Sequence, residues 1–188
     1  MTIARFIIML SLIAGLSACT SRSKPPSAWL QPGVSVSLPA PGISPAINQQ
    51  QLLTATVNGQ QHSLLVLLNA DRQKLTLVGL SALGIRLFRL SYDDRGIHTE
   101  QSLVLPQLPP PNQVLADIML SYWPRSDWQP LLPKGWSLTD DDRQRILTDK
   151  QGQVVSTITY AFFQGERQPV IVENRVFHYR IAIQRLAQ

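Results

Sequence analysis

The chain has one cysteine, three histidines and few charges for its 188 residues. A single cysteine excludes an internal disulfide and any multi-cysteine zinc cage. Three histidines leave little from which to build a metal centre. Charged residues make up 15 %, against roughly 25 % in an average soluble domain, and that scarcity argues against a disordered chain. No apolar run reaches the about 20 residues that a membrane-spanning helix needs. The motifs of common catalytic machinery are missing as well. There is no GxSxG elbow, P-loop, HExxH or CxxC. We therefore expect neither an enzyme nor a bound cofactor.

What is present is 44 % hydrophobic residues, and fourteen prolines against ten glycines. The length fits one domain with a tail. A net charge of +5 at first invites a nucleic-acid partner. Its distribution removes that reading. Residues 50–188 carry 14 basic and 12 acidic side chains, a net of +2. The other basic residues are Arg5, Arg22 and Lys24.

Residues 1–18 read as an export signal. Arg5 precedes an apolar stretch over residues 6–16, too short to span a bilayer and the right length for a cleaved signal. It ends in Leu16-Ser17-Ala18-Cys19, which resembles the lipobox of bacterial lipoproteins. That resemblance implies that Cys19 carries acyl chains, and two or more chains give stable anchoring. Thr20 follows, where an aspartate often marks retention in the inner membrane, so the expected location is the periplasmic face of the outer membrane. Residues 19–48 hold six prolines and read as a tether, reaching roughly 30 Å as a coil or about 90 Å as polyproline II. Val34, Val36 and Leu38 alternate with serines, so part of it can dock as an edge strand.

Residues 49–188 read as the folded domain. Alternation over residues 53–57, Asn58-Gly59 and an apolar return over 62–68 predict a hairpin. Strands follow over 74–80, 85–90 and 97–105, in the order of a meander. Three prolines then stop the sheet. Val114, Leu115, Ile118, Met119 and Tyr122 lie on one helical face behind Asn112 as N-cap. Ser126 to Gln129 has capping-box spacing. The helical segment spans 112–136, and strands resume over 143–149, 153–163, 169–173 and 176–185. The expected fold is mainly β: an antiparallel half-barrel or unclosed barrel with a helical lid.

Two readings of the apolar residues stay open. Residues 64–68 are apolar on both strand faces, so the sheet is either packed on both sides or lines a cavity for an apolar ligand. Candidate cavity positions are Leu65, Leu67, Leu75, Leu77 and Leu87 from strands, with Leu115, Met119 and Trp123 from the helix. Trp128, Leu131, Leu132 and Trp136 either cover one end of the sheet or form a membrane-contact loop. His62, His98 and His178 fall on separate strands without ligand spacing. Asp140, Asp141 and Asp142 read as a solvated turn.

The lipobox, the stretch VNGQQHSLLVLLNADRQKLTLVGLSALGIRLFRLSYDDRGI, the helix LADIMLSYWP and the turn LPKGWSL together resemble an uncharacterised family of Gram-negative lipoproteins. Genes of that family accompany aryl polyene biosynthesis. The family in turn is similar to the outer-membrane lipoprotein receptor LolB and the periplasmic carrier LolA. The resemblance implies an unclosed barrel that binds acyl chains and takes part in transport or assembly of a lipid-like product, here an aryl polyene lipid. The implied partners are the membrane, a lipid or lipidated ligand and a LolA-like carrier.

Overall fold

A computed structural model describes residues 25–101 and 109–186 of the chain. Its first elements are a two-stranded hairpin, β1 (Ser27–Gln31) with β2 (Val34–Ser37). Ten strands then form one antiparallel sheet. They are β3 (Ile47–Val57), β4 (Gln60–Ala70), β5 (Leu75–Leu80), β6 (Arg86–Asp93) and β7 (Gly96–Gln101) before the helices. After them come β8 (Ser137–Asp140), β9 (Gln144–Thr148), β10 (Val154–Phe163), β11 (Glu166–Asn174) and β12 (Tyr179–Arg185). Between the two groups lie α1 (Pro111–Tyr122) and the short α2 (Arg125–Trp128).

The spatial order is β7-β6-β5-β4-β3-β12-β11-β10-β9-β8. Two meanders of five strands are therefore joined at the middle by β3 and β12, with Ala55 opposite Ile181 and Leu53 opposite Ile183. The outermost strands, β7 and β8, do not pair, and the sheet is not closed into a barrel. This is the mainly β, unclosed architecture that the strand order predicts. The chain must travel from one outer strand to the other, so the connecting helix crosses one face of the sheet.

Local chemistry explains the turns. Asn58 and Gly59 both have positive φ, at 50° and 78°, which is the geometry of a tight two-residue hairpin. Asp141 closes the β8–β9 turn by accepting from the backbone N–H groups of Arg143 and Gln144. Of the acidic triplet expected as a solvated turn, Asp141 and Asp142 form the hairpin turn, whereas Asp140 ends β8, a strand the sequence pattern does not predict, and faces Arg145.

Three local expectations change. Helix α1 begins one residue earlier than its expected N-cap. Pro111 occupies the first helical position, where its missing N–H costs nothing. Asn112 makes no cap; its side-chain amide donates to the backbone carbonyl of Ser27. Ser126 lies inside α2, and its hydroxyl contacts Asp127 rather than forming a capping box. The last strand starts at Tyr179 rather than 176, because Asn174 gathers the N–H groups of Val176 and Phe177 into a turn. The far end of the strand expected over 97–105 lies outside the described residues.

The core lies between the sheet and α1. Register places Val66 opposite Gly79, Leu68 opposite Leu77 and Ala70 opposite Leu75 on this inner face. Phe88, Leu90 and Tyr92 extend it on β6. On its far side α1 packs against β1. The hairpin and the residue after it contribute Ala28, Leu30, Val36 and Leu38, all buried. Part of the stretch expected as a tether is therefore folded, as a hairpin of its own rather than an edge strand of the sheet.

Candidate functional site

Helix α1 is buried over most of its surface, so it fills the inner side of the sheet rather than resting on its rim. Leu115, Met119 and Trp123 are fully buried, and Leu75 and Leu77 meet the same cluster from β5. These five candidate positions come together as packed core. Leu87 is half-buried and packs against the same cluster, whereas Leu65 and Leu67 do not join it. Leu65 and Leu67 alternate with Val66 and Leu68 and stand half-buried on the outer face.

Trp128 is fully buried and its indole N–H donates to the carbonyl of Met119 at 3.1 Å. Trp136 is buried too, and Leu131 and Leu132 are half-buried against the core. All four therefore belong to the cover of the inner face in this structure. The exposed large apolar side chains lie elsewhere. Leu83 is 86 % and Ile85 58 % exposed, at the tip between β5 and β6. Phe162 and Phe163 stand out at the β10–β11 hairpin. Sequence reasoning missed the first tip, although Ser81-Ala82-Leu83-Gly84 reads as a turn and a leucine there is a signal.

Polar groups moor the helix to the sheet. Tyr122 accepts from Gln51 Nε2 at 2.7 Å and donates to Gln49 Oε1 at 3.1 Å. Gln49 in turn donates to Gln168 at 2.8 Å. Burial pushes the Tyr122 hydroxyl well above its ordinary value. Tyr160, raised by burial to about 12, donates to the carbonyl of Ser121 at 2.8 Å. Arg145 is buried and donates to the carbonyls of Leu120 and Trp123 at 2.6 and 2.7 Å, which satisfies the C-terminal end of α1. Its other terminal nitrogen meets Asp140 at 2.5 Å, and Arg167 meets the same carboxylate at 2.6 Å. Burial alone would raise Asp140, but the hydrogen bonds and charges of Arg145 and Arg167 hold it below the usual range.

Two open clefts flank this core. The larger, about 840 Å³, lies between the β4–β5 and β6–β7 turns, with Arg72, Lys74, Asp93 and Arg95 in its walls. Its mixed charge is unsuited to an apolar guest. The smaller, about 210 Å³, borders Val114 of α1 with Phe88 and Leu90 beneath. It is the one that touches the helix-covered face. Among the described residues no group of three or more His, Cys, Asp or Glu could hold a metal, and His62, His98 and His178 are separate. No helix among those residues is long and apolar enough to cross a membrane. Cys19 lies outside the described residues.

The fold and site define a class: an open antiparallel β-sheet with a buried crossing helix, moored to the sheet by hydrogen bonds. Within that class, residues 48–187 match a family described as proteins of unknown function, DUF3261, and the chain belongs to it. No curated protein matches the chain.

Proposed function

We propose that this protein is a lipid-anchored component of the outer membrane, facing the periplasm. It holds a hydrophobic or lipidated molecule on the inner face of its open sheet and assists its transport or insertion. The observation that carries the reading is the unclosed sheet, whose apolar inner face is covered by α1 together with the segment from Trp128 to Trp136 and the β1–β2 hairpin. Displacing α1 would expose the apolar side chains of this face, and burial at about 25 cal/mol per Å² would drive binding. The groove beside Val114 is the natural place of entry.

The exposed tip supports the same reading. Asn112 at the start of α1 contacts Ser27, and that start borders Phe88 and Gln101. Gln101 pairs with Phe88, just beyond the turn that bears Leu83 and Ile85. The chain thus enters from its anchor at the end where the apolar tip protrudes. Acylation at Cys19, the likeness to LolA and LolB, an aryl polyene lipid as ligand and a LolA-like carrier as partner are parts of this proposal.

A second reading is an interaction protein of an envelope complex. The observation in its favour is the packed core: Leu115 and Met119 of α1, Trp123 after it and Leu75 of β5 are all fully buried in one cluster. Native mass spectrometry of the full chain, purified in mild detergent, separates the two. The first reading expects a bound acyl or polyene mass in addition to covalent acylation. A consistently empty chain recovered with a partner protein overturns it and supports the second.

A further inference from the structure

Midway along its buried length, α1 carries a carboxyl group. Asp117 is only 7 % exposed. Three neutral groups surround it. Tyr179 of β12 donates its hydroxyl proton to Asp117 Oδ2 at 2.6 Å. Asn174 of β11 lies behind, its amide 3.4 Å from the same hydroxyl. Gln113, one turn earlier on α1, also hydrogen-bonds the carboxyl. Asp117 forms no ion pair among the described residues, unlike Asp140. On the other side of the helix, β1 and β2 contain no ionisable side chain.

The other moorings of α1 do not change charge near neutrality. Tyr122 and Tyr160 are raised further from it by burial. Asp117 differs. Burial pushes its carboxyl up to about 7, against an opposing pull from Tyr179 and Gln113. An ionised carboxylate here has two neutral donors and no cation, which is a costly state in an apolar interior.

We propose that Asp117 and Tyr179 form a proton-dependent latch, which seats the middle of α1 on β11 and β12 while Asp117 is protonated and lets the helix leave as rising pH favours the ionised, solvated carboxylate. The direction follows from linkage. The docked value lies above the unfolded one, so the latch is at full strength below the ordinary aspartate value of 3.8 and is lost as pH rises through about 7. The latch stands on the packing of α1 alone and requires no ligand, so it survives failure of the lipid-binding proposal.

The test is hydrogen exchange of the amides of residues 113–121 in the full chain, corrected for the intrinsic rate, from pH 4.5 to 8.5. Opening is expected to grow up to about tenfold per pH unit and to level off once pH passes about 7. Asp117→Asn should flatten that dependence, with the three histidines common to both proteins. Tyr179→Phe should move the levelling-off to higher pH, because a donor to the ionised form is gone. A flat wild-type profile, or an unchanged slope in Asp117→Asn, overturns the proposal. If the asparagine variant does not fold, carbon NMR of the Asp117 carboxyl in the wild type decides. A midpoint near 7 supports the latch, and one below 5 overturns it.

Discussion

Arg145 shows how one side chain holds two layers together. Its guanidinium ends the α1 hydrogen-bond ladder at Leu120 and Trp123 and faces Asp140 on the neighbouring strand. Its Nε has no partner, so the two terminal nitrogens carry the attachment. Arg145→Met keeps the aliphatic volume but leaves two helix carbonyls and half of a partly buried ion pair. The expected loss is about 3 kcal/mol, measured by urea unfolding at neutral pH; an unchanged midpoint would show that Arg167 and water replace it. Asp140, held below the ordinary 3.8, contributes stability above that value which fades as pH falls through its lower folded value. Such a clamp was invisible in the sequence, where Arg143 and Arg145 simply follow three aspartates. Leu65 and Leu67 fail to reach the inner face for a related reason. Five consecutive apolar residues, 64–68, contain no alternation from which strand parity can be read, and pairing with β5 decides it.

Elements were legible where their chemistry is local. Asn58-Gly59 needs only its own backbone to make a turn, and α1 shows a clear helical period. By contrast, β8 has four residues with one buried apolar side chain, Leu138, so no period exists to detect. Glycines show what long-range packing adds. A Cβ on Gly42 would stand 2.1 Å from the backbone oxygen of Arg72, so backbone rather than a side chain would have to yield. A Cβ on Gly79 would stand 2.2 Å from the Phe88 ring across the β5–β6 pair, and that ring can turn. Gly79→Ala is expected to cost about 1–3 kcal/mol, and Gly42→Ala more, in parallel thermal melts. The reverse order would mean that the segment before β3 is loosely held. Tyr122→Phe tests the mooring of α1 to β3. It leaves the Gln51 and Gln49 amides short of a partner, at an expected cost of about 1–2 kcal/mol in urea unfolding.

At the scale of the molecule, the family match starts at residue 48, whereas the folded unit starts earlier. The hairpin contributes Leu30, Val36 and Leu38 at 2–3 % exposure, and the following segment accepts hydrogen bonds from Tyr92 and Trp123 through the carbonyls of Pro39 and Ala40. In the sequence this stretch looked like a tether because its prolines dominate its composition. Its alternating valines were visible, but not the helix they pack against. Each large apolar side chain buried there is worth about 1.5–3 kcal/mol. Three of them approach the 5–15 kcal/mol by which a typical domain is stable. A chain that begins at residue 39 should therefore lack a cooperative urea transition, or show one at much lower denaturant than the full chain. Exposure of Trp123 and Trp128 should follow, read as a red shift in tryptophan emission. If the shortened chain unfolds at the same denaturant concentration, the hairpin is an accessory to a domain that starts near where the family match begins. If it loses that transition, β1 and β2 belong to the fold, and the acylation proposed at Cys19 would lie eight residues before β1. On that proposal, eight residues would span at most about 28 Å, so the hairpin would be held close to the bilayer surface.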